Sequence, residues 1–307
     1  MTQKNLKVTT LLCLLAIALP FLLLLSEPPT NQPTVASAAN SDSSPSATTP
    51  VSTDPIFDNQ FTKRCCIYIP HAAGAFPARP YTNSKENLLK AIHTGYKIIE
   101  IDFLPTSDDV WVAMHYWRDW SMQTGSTSAI PPTYKTFQES SYTLDLQGDG
   151  RRPLTPLSLN DIDAILGKHP DIRIIVDTKS KKKRAALYKR ISDLPNAPQY
   201  ILSAYRFRHF KEIRSFGFRN IVFQTYRKHT KTPADELLFK LQKPEYKPNA
   251  IFTPLNYYKR NQQFLAKSPI PAYVHGPLDD MNSHSTIKKL ANLGASGMFI
   301  DWYEPPK

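Results

Sequence analysis

Short apolar runs, several of them β-branched, alternate along the chain with segments whose apolar positions recur at helical spacing. The strand-like runs span 66–70, 97–103, 172–178, 200–203, 220–225, 250–253, 272–275 and 297–301. A further run at 110–115 follows Thr106-Ser107-Asp108-Asp109, a turn signal, and predicts a hairpin with the second strand. A turn centred between Ser107 and Asp108 would place His115 opposite Glu100. Among the helix-like segments, Asn83 and Glu86 suggest a capping box ahead of Leu88, Leu89 and Ile92, with Gly95 as the stop. Ser158 caps 159–166, and 181–191, 206–216, 233–241, 259–266 and 285–293 complete the set. With the hairpin counted as an elaboration of strand two, strand–helix repetition predicts an α/β fold, a (β/α)8 TIM barrel. An open doubly wound sheet is the alternative.

Residues 116–156 break the rhythm. They carry Trp117, Trp120, Tyr134, Phe137 and Tyr142 without a clear period. A loop this long is either a cover for the site beside His115 or a surface insertion packed by its own aromatics.

The amino-terminal part has a different character. Residues 8–25 form an uncharged apolar run behind Lys4 and Lys7, at the length boundary between a signal-peptide core and a membrane-spanning helix. Residues 1–26 are therefore expected to be a signal anchor or a signal peptide. Ala36-Ser37-Ala38 resembles a cleavage site but lies well beyond the apolar run. Residues 27–60, rich in Ser, Thr and Pro, cannot bury enough surface to offset their ordering entropy and are expected to be a disordered linker. The folded domain is then 61–307. The positive residues before the apolar run imply an extracytoplasmic domain, periplasmic or secreted, tethered to the membrane if the amino-terminal helix is retained.

Charge and cysteine content narrow the partners. The formal charge of +12 suits an anionic partner. No zinc-finger spacing or aromatic-basic motif accompanies it, which excludes a recognisable nucleic-acid module. Cys13, Cys65 and Cys66 make no disulfide framework, because neighbouring cysteines bridge only with strain.

The candidate chemistry collects at the carboxyl ends of the strands, where such barrels place reactive groups. Glu100 and Asp102 lie two apart within 98–103 and share a face of an otherwise apolar strand. Asp177 and Lys179 repeat that spacing at the end of the next strand, and His71, His115 and Asp301 end others. Two buried like charges side by side require a cation or proton donors. Glu100, Asp102 and Asp177 supply hard oxygen ligands suited to Ca²⁺ or Mg²⁺. His71 and His115 can exchange protons near neutral pH, and Lys179 offers positive charge to an anionic substrate. Together they fit displacement at phosphorus. Tyr205, His275 and Trp302 follow or end strands and are candidate substrate contacts.

His71 with Gly74, Asn83, Glu100-Ile101-Asp102, His115, Asp177-Thr178-Lys179 and the closing Gly297-Met298-Phe299-Ile300-Asp301 resemble, in order and spacing, the glycerophosphodiester phosphodiesterases. That family belongs to the phosphatidylinositol-phospholipase-C-like barrels. The resemblance covers about residues 66–303. It implies acid–base roles for His71 and His115, metal ligation by Glu100, Asp102 and Asp177, and a phosphate-site role for Lys179. It also implies attack on phosphorus by a hydroxyl of the substrate's own glycerol before water completes hydrolysis.

The departures are specific. His71-Ala72-Ala73-Gly74 stands where the family commonly has His-Arg-Gly, and Tyr81-Thr82-Asn83-Ser84 where it commonly has Pro-Glu-Asn-Thr. Asp177 is one methylene shorter than the usual glutamate. A bacterial branch of the family with a His-Ala-Gly-type opening resembles this pattern. The expected partner is a small-molecule phosphodiester or lipid head group. Two alternatives remain open: a barrel that binds a phosphorylated or sugar ligand without cleaving it, motivated by the missing arginine, and a carbohydrate hydrolase using paired carboxylates.

Overall fold

The computed structural model describes residues 67–74, 82–127, 130–140, 154–226, 229–276 and 284–301. All lie within one unit, Thr49–Lys307. The expected leader (1–26) and linker (27–60), Cys13, Cys65, Cys66 and Trp302 lie outside the described residues. No helix among the described residues is long and apolar enough to cross a membrane.

Among the described residues nine strands form one sheet: β1 (Ile67–Pro70), β2 (Ile98–Pro105), β3 (Trp111–Ala113), β4 (Arg173–Asp177), β5 (Tyr200–Ala204), β6 (Ile221–Gln224), β7 (Ala250–Pro254), β8 (Ala272–His275) and β9 (Gly297–Ile300). Their order is β1-β9-β8-β7-β6-β5-β4-β2-β3. Every pairing is parallel except that of β2 with β3. β1 and β2 also lie against each other, so the sheet curls into the expected (β/α)8 barrel with a hairpin elaboration on its second strand.

The crossover helices follow their strands: α1 (Lys85–Thr94), α4 (Leu159–Leu166), α5 (Arg184–Ser192), α6 (Arg208–Ser215), α7 (Ala234–Leu241), α8 (Leu255–Leu265) and α9 (His284–Asn292). Two more, α2 (Trp117–Thr124) and α3 (Tyr134–Glu139), lie between β3 and α4.

Period-two alternation divides the strand side chains between two apolar layers. Ile69, Ile98, Ile175, Ile201, Val222, Phe252, Tyr273 and Phe299 come from strands alone and fill the barrel interior. The alternate positions, such as Ile99, Ile101, Ile174, Val176 and Leu202, pack outward against helix residues such as Leu88, Ile162, Leu187 and Ile213. On β2 the inward series begins with Ile98 and continues as Glu100 and Asp102. Going up the strand, the interior changes from apolar to charged.

Three local expectations are corrected. The hairpin loop contains three residues, closed by Thr106 N–H to Val110 O at 2.9 Å, with Asp109 at φ 61°. A three-residue loop with its last residue left-handed is a standard hairpin closure, and it moves the register by one. Phe103 pairs with Ala113, and Met114 N–H reaches Asp102 O at 3.0 Å, so His115 does not oppose Glu100 but follows the end of the ladder. The cap of α1 is Ser84, whose Oγ accepts from Asn87 N–H, and not Asn83. Glu86 instead accepts from Thr155 N–H at 2.8 Å and from its hydroxyl at 2.6 Å. The aromatic stretch after His115 is not structureless: α2 and α3 bring Trp120 and Phe137 onto Leu104, Val112, Met114 and Leu154.

The cap on α4 has the expected form. Ser158 Oγ accepts from Asp161 N–H at 3.1 Å, and Asp161 accepts from Ser158 N–H at 2.8 Å. Ser158→Ala should therefore lower the unfolding free energy by about 1 kcal/mol, read as a shifted urea midpoint. An unchanged midpoint would mean that the box adds nothing.

Candidate functional site

The register of β2 against β4 pairs Glu100 with Ile175 and Asp102 with Asp177. Asp102 and Asp177 are thus lateral neighbours on the inner face, with Glu100 two residues below. One oxygen from each of the three carboxylates lies within 4.8 Å of the others, and all three residues are buried.

The surrounding chain supplies donors to this cluster. After β1 the backbone makes a tight 3-10 turn at His71–Ala73 with Ala72 at φ 50° and Ala73 at φ 65°, left-handed values that L-alanine adopts only with strain. The turn brings Ala72 N–H to 2.8 Å from Glu100 Oε2. Asn83, also left-handed at φ 50°, clamps Asp102: its amide donates to Oδ2 at 3.3 Å and its oxygen accepts from Asp102 N–H at 3.1 Å. Asparagine tolerates that backbone state better than most residues. Release from helix capping leaves its side chain for Asp102.

On the far side, Lys179 Nζ lies 2.5 Å from Asp177 Oδ2 and 3.5 Å from Asp102 Oδ1. Asp177 Oδ1 accepts from Thr178 N–H at 2.6 Å and from the Tyr205 hydroxyl. Burial opposes ionisation of Asp177, yet Lys179 and these hydrogen bonds outweigh it and hold its carboxyl below the usual range. Burial also opposes protonation of Lys179, but Asp177 and Asp102 raise its pKa. Burial, with the charge of Asp102 next, pushes Glu100 up to about 8, against the pull of His71 and Ala72 N–H.

Two histidines stand at the same cavity, each held by a carboxylate. His71 Nδ1 is 3.3 Å from Asp301 Oδ1 and its Nε2 is 3.8 Å from Glu100 Oε2. Burial alone would lower its pKa, but Asp301, Glu100 and Asp102 raise it to about 9. His115 Nδ1 is 2.9 Å from Asp119 Oδ2, one turn along α2. His275 lies among the rings of Tyr226 and Phe299, and burial, reinforced by the charge of His71, depresses its pKa to about 3.

A cavity of about 850 Å³ joins these groups: His71, His115, Glu100, Asp177, Lys179, Tyr205 and His275 all line it. Trp302 lies outside the described residues. The residues not singled out from sequence are Asp119, Tyr226 and Arg184, while Asn83 and Asp301 were noted without the contacts they make here. Asp119 had a legible signal, its four-residue spacing from His115, hidden only because 117–124 shows no helical period.

The donor set fits a divalent cation. Three carboxylates converge, their oxygens are hard ligands, and Asp102 Oδ1 is buried without a hydrogen-bond partner among the described residues. Glu100, Asp102 and Asp177 would hold the ion, with the Lys179 ammonium now standing beside two of the three.

No sequence-family model matches the chain, and no curated protein sequence matches it. Solved structures do. A glycerophosphodiester phosphodiesterase from Agrobacterium tumefaciens is 13% identical, with a TM-score of 0.57 over 78% of this chain and 97% of that one. One from Thermotoga maritima is 16% identical, with a TM-score of 0.55 over 78% and 96%. One from Parabacteroides distasonis ATCC 8503 is 16% identical, with a TM-score of 0.56 over 77% and 92%. The chain therefore has the fold of the solved glycerophosphodiester phosphodiesterases.

Proposed function

We propose that the chain is a metal-dependent phosphodiester hydrolase acting on glycerophosphodiesters or related phospholipid head groups. The observation that carries the proposal is the meeting, at a cavity lined by Glu100 and Asp177 of a buried three-carboxylate cluster, of two histidines, each braced by its own aspartate. An aspartate on Nδ1 fixes the tautomer and orientation of an imidazole and stabilises its protonated form. His71 and His115 are thereby prepared for proton transfer through Nε2.

Displacement at phosphorus needs a proton taken from the attacking oxygen as the new P–O bond forms. It also needs a proton given to the alcohol whose P–O bond breaks. The two histidines divide these tasks, in the manner of general acid–base pairs. Bound at the triad, Ca²⁺ or Mg²⁺ would supply Lewis-acid polarisation of a phosphoryl oxygen. Asn83, Ala72 N–H, Thr178 N–H and Tyr205 hold the three carboxylates in place. Lys179, with 27% of its side chain exposed and lining the cavity, would reach the phosphate once a cation takes over the carboxylates.

Two outcomes are expected. His71→Ala and His115→Ala should each lower kcat on glycerophosphodiesters by about 10²–10⁴-fold, with circular dichroism and unfolding midpoint close to the parent; near-parental turnover in either variant would remove that histidine from the chemistry. Exhaustive chelation should abolish turnover, and Ca²⁺ or Mg²⁺ should restore it and raise the melting temperature by ligand linkage. Full activity in excess chelator would refute the metal requirement.

A further inference from the structure

The cavity that holds the triad continues to a second, strongly basic end. Lys181 from the turn before α5, Arg184 at its first position, Arg206 from the turn after β5, and Arg208 and His209 at the start of α6 line it. Arg184 anchors this end. It is only 7% exposed, and its guanidinium carbon lies 4.6 Å from the centroid of the Tyr205 ring.

Arg184 makes no ion pair with a carboxylate among the described residues. Its Nη1 lies 3.1 and 2.9 Å from the two ring nitrogens of His209, and its Nε has no hydrogen-bond partner. His209 cannot neutralise it. Its Nδ1 accepts Tyr205 N–H at 3.1 Å, and burial together with Arg184, Arg208 and Arg206 holds its pKa near 4, leaving the ring neutral. Glu212 of α6 lines the adjoining cleft together with Arg184, Lys182 and Arg208, yet no ion pair joins it to them among the described residues. A buried guanidinium without a carboxylate is costly unless an anion completes it.

The helices point the same way. α5 is preceded by Lys183 and α6 by Phe207. Neither has a side-chain cap, neither has an acid in its first turn, and Arg184 and Arg208 open them. Cations at helix amino termini oppose the macrodipole, whereas an anion placed there is favoured. Two uncapped amino termini and four cations here leave a positive field that no ion pair among the described residues neutralises.

We infer that this end is a second anion subsite and that the substrate is a phosphodiester bearing a further phosphate group, for instance on the alcohol that is released. The substrate class rests on the hydrolase proposed above. Tyr205 sets the spacing: its hydroxyl donates to Asp177 while its ring faces Arg184. Both contacts fall on one side chain, so the anion ends of the cavity are near neighbours, as a short polyol bearing two phosphates requires.

The test compares glycerophosphoglycerol with the same compound phosphorylated at its far hydroxyl. The parent protein should favour the phosphorylated compound by about tenfold or more in kcat/KM, the scale of one or two charge-assisted hydrogen bonds. In the exposed double variant Lys181→Gln/Arg208→Gln that ratio should fall severalfold, and in Arg184→Met it should approach one. A parental ratio near one, or a ratio unchanged by the variants, would overturn the subsite while leaving the hydrolase standing. If neither compound is cleaved, the hydrolase proposal fails separately and calorimetric affinities decide the subsite. Tighter binding of the phosphorylated compound, lost in the variants, supports it; equal affinities or no binding overturn it.

Discussion

The pairing of Asp102 with Asp177 across β2 and β4 puts two carboxylates on adjacent rungs of the barrel interior, with Glu100 on the same face. With oxygens within 4.8 Å, each ionised pair repels by about 3.5 kcal/mol or more at an effective dielectric of 20. Three such pairs would take a large part of the roughly 5–15 kcal/mol by which a domain is stable. The neighbouring structure answers this repulsion: Lys179 against Asp177 and Asp102, Ala72 N–H against Glu100, Asn83 against Asp102, Tyr205 against Asp177. The raised pKa of Glu100 indicates that these groups leave the repulsion only partly relieved. A divalent cation at the triad would relieve more of it than one ammonium can, and would free that ammonium for an anion.

The same competition between stability and chemistry recurs around the rim. Ala72 and Ala73 hold left-handed conformations costing about 1–2 kcal/mol each, and the turn they make directs a backbone donor to Glu100. Asn83 gives up a capping position for a clamp on Asp102. At the opposite end of the cavity, arginines occupy helix starts where acids would be more stable. Departures from local preference of this kind concentrate at functional sites. In this chain those named here either bond the carboxylate cluster or line its cavity, while the apolar layers beneath them obey the strand and helix periods.

Much of this arrangement was legible in the sequence because it depends on period two. Glu100 and Asp102, and Asp177 and Lys179, share faces for the same reason that Ile98 and Ile175 do. Strand–helix alternation gave the barrel. What the sequence hid depended on single backbone states. Asp109 in the left-handed region changed the hairpin loop from even to odd and displaced His115 from the rung opposite Glu100. Asn83 and Ser84 are both good cap residues, so nothing local decides between them. The helices after His115 are short and aromatic, which erases the helical period and with it the link from His115 to Asp119. Arg184 closes the run Lys181-Lys182-Lys183-Arg184, which sequence alone does not distinguish from a solvated helix start; its burial against Tyr205 and His209 is a tertiary fact.

The cation at the triad can be observed directly. Crystals grown with Mn²⁺, a hard ion with an anomalous signal, should show one peak bounded by Glu100, Asp102 and Asp177, with the Lys179 ammonium displaced from Asp177 toward the cavity. An empty triad at saturating metal, with Lys179 still paired to Asp177, would contradict the account.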